Sequence, residues 1–102
     1  MNVPNQILKD ALALVESGWT QWAFARNRNG GLVSYSSPDA CAWCASGSLN
    51  LAVERLGANI EDAIAARAAL LKNMENSVAI FNDSHGKAEV VAAFKVAIKA
   101  TK

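Results

Sequence analysis

Ser37-Pro38-Asp39-Ala40-Cys41-Ala42-Trp43-Cys44-Ala45-Ser46-Gly47-Ser48-Leu49-Asn50-Leu51-Ala52-Val53-Glu54-Arg55-Leu56-Gly57 is the stretch whose reading decides the fold. Ser37 can cap a helix, Pro38 suits a first helical turn, Asp39 favours the positive helix end, and Gly57 can take the left-handed stop conformation. These signals predict a central helix over 38–56. On a wheel of about 100° per residue, Cys41 falls with Ala45, Ser48, Ala52 and Leu56, Cys44 lies toward their edge, and Asp39, Ser46, Asn50 and Glu54 lie opposite. The wheel therefore assigns the thiols to a buried face, where cysteine behaves as a small hydrophobe.

Working outward, the segment before this helix changes period. Trp19-Thr20-Gln21-Trp22-Ala23-Phe24-Ala25-Arg26 alternates, Asn27-Arg28-Asn29-Gly30-Gly31 is a turn cluster, and Leu32-Val33-Ser34-Tyr35 follows, so a β-hairpin over 19–35 is predicted. In that hairpin Trp22 and Phe24 share one face, and Trp19, Gln21, Ala23 and Ala25 the other. A lone hairpin is marginal, so helices must cover one of its faces. Pro4 to Ser17 carries Ile7, Leu8, Ala11, Leu12, Leu14 and Val15 at helical spacing and stops at Gly18. After Gly57, Asn59 can cap an alanine-rich helix to about Met74, with Ile60, Ile64, Leu71 and Met74 as its expected buried side. Residues 76–83 read as a short helical turn, 82–86 as a polar connector, and 87–100 as a final helix with Val90, Phe94, Ala97 and Ile98 on one stripe. The expected architecture is α+β and mostly helical, about four helices packed around the central helix (38–56) with one β-hairpin (19–35), in a single domain over 1–102.

Composition narrows the function classes. Hydrophobic residues make up 52% and charged ones 19%, which argues against disorder because that much apolar surface offsets chain entropy. A net charge of +1 supplies no field that would gather nucleic acid or an anionic membrane. The first residues, Met1 to Gln6, lack the basic and apolar regions of a secretory signal, and no apolar run approaches the roughly 20 residues needed to span a bilayer. The expectation is a soluble, cytoplasmic chain whose two cysteines stay reduced, with no cofactor.

Four pieces of sequence carry a resemblance. They are Gly18-Trp19-Thr20-Gln21 with Ala23-Phe24-Ala25-Arg26; Pro38-x-Ala40-x-x-Trp43-Cys44-x-x-Gly47-x-Leu49; Phe81-Asn82-Asp83; and Glu89-Val90-Val91-Ala92-Ala93-Phe94 leading to Ala97-Ile98. In this order the chain resembles a family of small bacterial proteins of unknown function. Trp22 stands where that pattern has a small residue, and Cys41 is outside it. The resemblance implies no activity, cofactor or partner.

Cys41-x-x-Cys44 near a helix start is the sharpest chemical motif, since helix-end N–H groups favour a thiolate. The thiol-redox reading requires a βαβ setting, and a preceding hairpin does not supply one. A metal alternative joins Cys41, Cys44 and His85, although one Cys-x-x-Cys without a second matching pair is a weak zinc signal. A nucleophilic alternative uses Cys44 with His85 as base and Asp83 to orient it. Gly30-Gly31 lacks the lysine and hydroxyl residue of a phosphate loop. The stronger pattern is one of binding: Trp19, Trp22, Arg26 and Arg28 on the hairpin, Trp43 beside it, and Asn82, Asp83 and His85 in the 82–86 loop. Aromatic residues and arginine concentrate energy at interfaces. The expectation is a protein-binding or adaptor module whose partner is another protein or a second copy; the alternative is a thiol- or metal-dependent enzyme centred on Cys44.

Overall fold

A computed structural model describes residues 2–102. The chain runs α1 (Val3–Ser17), β1 (Ala25–Arg26), β2 (Leu32–Val33), β3 (Ala42–Trp43), α2 (Ala45–Leu56), α3 (Ile60–Leu71), α4 (Val78–Ser84) and α5 (Lys87–Ala100). The class is α+β and mostly helical; the helical turn expected over 76–83 is the short helix α4, which runs on to Ser84, so residues 82–84 of the expected connector are helical and only His85 and Gly86 link α4 to α5.

The helices begin and end on local chemistry. The Asn2 side chain accepts from the Asn5 N–H at the start of α1, Asn59 from Asp62 at α3, and Ser77 from Ile80 at α4. Each relieves one of the unpaired donors of a first turn. Gly57 closes α2 with φ of 61°, a left-handed value that costs a glycine little.

The central helix is the main correction: it starts at Ala45, seven residues later than 38. Residues 41–44 have a competing use for their backbone. Cys41 N–H donates to the Arg26 carbonyl, Trp43 N–H to the Gly18 carbonyl, and Cys44 N–H to the Phe24 carbonyl. Ala42–Trp43 is thus an edge strand of a three-stranded sheet in the order β2-β1-β3, with both neighbouring pairs antiparallel. Ala25 faces Val33 on one side and Trp43 on the other. Pro38 sits in a turn closed by Ala40 N–H donating to the Ser37 carbonyl. The wheel consequently fails for Cys41, which is exposed, while Cys44 is buried and caps α2.

Residues 19–24 are not strand either. Trp19 makes one isolated bridge to Trp43, and Trp22 has a left-handed backbone with φ of 65°, which ends the alternation expected of a hairpin arm. Only 25–26 and 32–33 pair as the hairpin.

The core lies between α1, α2, α3 and α5. Ile7, Leu8 and Val15 of α1, Leu49 and Ala52 of α2, Leu70 of α3, and Val90 and Phe94 of α5 are all buried. Removing the larger of these side chains from water contributes about 1.5–3 kcal/mol each. A side seam joins α1 to α5, where Asn5 Nδ2 donates to the Ile98 carbonyl at 2.9 Å and to Thr101 Oγ1 at 3.1 Å. Helix α3 buries Ala66 and Leu70; Met74, just beyond it, is buried as expected. Ile60, Ile64 and Leu71 are exposed, against expectation, because the narrow alanine face is the one that approaches α1 and α5.

Candidate functional site

The site is assembled where the 19–24 segment lies over the start of α2 and the end of α4. Two glycines permit that approach. A Cβ on Gly47 would collide with the Phe24 carbonyl, and one on Gly18 with the Cys41 carbonyl.

Asn82, fully buried, is the hub. Its Oδ1 accepts from the Trp19 indole N–H at 2.8 Å and from the Ala45 N–H at 2.9 Å. Its Nδ2 donates to the Thr20 carbonyl at 3.1 Å and to Asp83 Oδ1 at 3.0 Å. All four hydrogen-bonding capacities of the amide are thereby used. Gln21 adds a second tie, its Nε2 donating to the carbonyls of Asn82 and His85 at 3.2 and 2.9 Å. Arg26 closes the segment from the other side, donating to Thr20 Oγ1, the Gln21 carbonyl and the Gly30 carbonyl. The Trp22 N–H donates to Asp83 Oδ1 at 2.9 Å, and its side chain stands 72% exposed.

Beside Trp22 is a groove of about 300 Å³, lined by Trp22, Ala23, Phe24, Cys44, Ser46, Ala79 and Asp83. Cys44 Sγ accepts from the Gly47 N–H at 3.2 Å. Burial pushes the Cys44 thiol above its ordinary pKa, and the Asp83 carboxylate adds to the rise against the N–H groups of Gly47 and Ser46. Arg67 Nη1 donates to Ser46 Oγ at 3.0 Å, and burial pulls this guanidinium below its ordinary value.

The residues expected from the sequence divide accordingly. Trp19, Trp22, Asn82 and Asp83 come together, and Cys44 shares the groove with Asp83. His85 has other partners: its ring stacks on Phe81 with centroids 3.8 Å apart, and its Nδ1 lies 2.9 Å from the Phe81 carbonyl, so that nitrogen carries the proton in this contact. Asp83 holds Trp22 and Asn82, not His85. Trp43 is buried in the sheet with its indole N–H on the Tyr35 carbonyl at 3.0 Å. Arg28 and Cys41 line a different depression of about 480 Å³ with Pro38 and Asp39. Among the described residues no group of three or more His, Cys, Asp or Glu is placed to hold a metal ion, so Cys41, Cys44 and His85 do not converge. Nor is any helix among them long and apolar enough to cross a membrane.

The hairpin alternation already puts Phe24 beside Trp22, but it gives Thr20, Gln21, Ser46, Arg67 and Ala79 no role in binding. Thr20 and Gln21 sit in the Gly18-Trp19-Thr20-Gln21 run and carried a signal; Ser46, Arg67 and Ala79 are isolated polar or small residues with none.

The model of a family of unknown function, DUF6197, matches residues 1–100. Neither a curated protein nor a solved structure matches the chain.

Proposed function

The chain belongs to DUF6197, a family of unknown function, and we propose that it works as a protein-binding module whose recognition surface is the groove beside Trp22. The observation that carries this reading is the backbone of Trp22. A left-handed conformation costs an L-residue roughly 1–2 kcal/mol, and here it is held by the Asp83 carboxylate at 2.9 Å. That cost is not offset by burying the indole, which is 72% exposed beside Phe24, itself 56% exposed. Strain maintained by the surrounding structure is characteristic of functional positions. A rigidly presented tryptophan is also the side chain that most often anchors an interface.

The groove suits one apolar side chain of a protein partner, inserted against Trp22 and Phe24. Its volume is at the lower limit for small-molecule pockets, which favours a side chain over a free ligand. Arg26 supports this surface by holding Thr20, Gln21 and Gly30, whereas Arg28 lies on the separate depression beside Pro38 and Asp39. Near-neutral charge and two unlinked cysteines support a cytoplasmic protein partner.

The test is Trp22→Gly, which keeps the left-handed backbone unstrained and removes the indole. Proteins captured by the wild-type chain from its host lysate should be lost with this variant and retained with Leu32→Ala, a control that is 71% exposed on β2. Capture unchanged by Trp22→Gly would sink the reading. Thiol chemistry at Cys44 keeps one favourable observation, its place on the groove at the start of α2, and it is opposed by a thiol that burial keeps protonated.

A further inference from the structure

Glu61, Asp62 and Arg67 are the only residues of α3 that are not apolar. A helix surface this rich in apolar residues is ordinarily covered over much of its circumference. Here only Ala66 and Leu70 are buried, whereas Ile60, Ile64 and Leu71 are 74%, 61% and 38% exposed, and Ala68 between them is exposed too. Positions 60, 64, 68 and 71 form a single stripe at helical spacing. Along one flank of it lie Glu61 at the beginning and Lys72 at the C-cap, both exposed.

We propose that this stripe is a homodimer interface in which two α3 helices pack antiparallel about a two-fold axis. The stripe is complementary to its own reverse. With the two-fold axis at the level of Ala66, Ile64 falls opposite Ala68 of the second copy, a large residue against a small one, and Ile60 lies within one residue, about 1.5 Å, of the level of Leu71 of the second copy. The same register brings Glu61 within one residue of the level of Lys72 of the second copy, on the same flank and twice by symmetry. Such pairing of one patch with itself is what a two-fold interface requires. A parallel arrangement would set Ile64 against Ile64, bulk against bulk, and would leave Glu61 and Lys72 at opposite ends of the seam with no opposite charge across it. A lipid surface is disfavoured as occupant, because membrane-bound helices flank their apolar face with basic residues, and the first turn of α3 carries Glu61 and Asp62. The seam is one helix wide and roughly 18 Å long at about 1.5 Å per residue. Stable interfaces bury about 800 Å² per partner, so this dimer is weak and reversible.

Sedimentation velocity over low-micromolar to millimolar protein tests the interface. The wild-type chain should shift from monomer to dimer with concentration. Ile64→Glu, at an exposed position, should remain monomeric throughout with an unchanged helical circular-dichroism spectrum. Glu61→Lys or Lys72→Glu alone should weaken the dimer roughly three- to tenfold, and the two together should restore it, because reversed charges meet reversed charges across the axis. The proposal is overturned by a wild-type chain that stays monomeric, by a dimer that survives Ile64→Glu, or by a double reversal no stronger than the single ones. Flotation of monomer with anionic vesicles that depends on Ile64 would overturn it in favour of a membrane surface. Trp22→Gly should leave this dimer intact, so the groove and the α3 interface stand or fall separately.

Discussion

The Asn82 amide joins three parts of the chain that are far apart in sequence. Replacing it with Ala leaves the Trp19 indole N–H, the Ala45 N–H and the Thr20 carbonyl without their partner. Each unpaired buried group costs about 1–3 kcal/mol, so Asn82→Ala should lose about 3 kcal/mol or more in urea unfolding. Asn82→Asp should be no better, since it removes the donor to Thr20 and sets a second carboxylate against Asp83. A loss below about 1 kcal/mol would show that water substitutes for the amide. Cys44 gives a second residue-scale prediction. Because burial raises its pKa, the folded state favours the neutral thiol; stability is full below the unfolded thiol pKa and declines as pH rises through the folded one. Cys44→Ser should flatten that alkaline decline relative to the wild-type chain while still capping α2. At neutral pH a thiol reagent should modify exposed Cys41 well before Cys44, and rapid modification of Cys44 would revive the enzymatic alternative. The Phe81-Asn82-Asp83 step was visible in the sequence as a feature. Its role as an internal fastener was not, because the groups that Asn82 satisfies lie 37 to 63 residues away.

Among the elements, α2 and the segment packed on its first turn are the most sensitive to small changes of shape. Gly47→Ala should cost about 3 kcal/mol or prevent folding, because the added Cβ meets the Phe24 backbone carbonyl, which no rotamer change relieves. Thermal unfolding measures this; an unchanged midpoint would mean that the 19–24 segment can lift away from α2. Trp22→Gly has the opposite sign: it should leave stability unchanged or raise it by up to about 1 kcal/mol. A substantial loss of stability would show that the indole is a packing residue and remove the argument from strain. The spans of α1 and α5 could be read directly from their apolar period, and the start of α3 from its Asn59 cap, though not its buried face. The start of α2 could not, because Ser37-Pro38-Asp39 is a sound helix opening by itself, and only the partners waiting on β1 and Gly18 draw residues 41–44 into extended pairing.

Across the whole molecule, α1 packs against α2, α3, α5 and β3, so few parts could melt without disturbing it. The single-domain reading therefore predicts one cooperative transition. Tryptophan fluorescence reports Trp19 and Trp43 at the sheet and hub, far-ultraviolet circular dichroism reports the helices, and the two denaturation curves should coincide. Separate midpoints would mean that the sheet region and the helical core unfold independently. The sequence by itself determined where most helices lie and the class they build, because caps, glycine stops and the helical period act within a few residues: Asn59 opens α3, Gly57 closes α2, and Val90, Phe94 and Ala97 mark the inner stripe of α5. Only the tertiary structure decided which face of α3 is covered, that Ala42–Trp43 is a strand, that Asn82 is a hub, and that Trp22 is held outward in a left-handed turn. Those outcomes depend on steric fit and hydrogen-bond partners supplied from distant positions, and no local pattern encodes them.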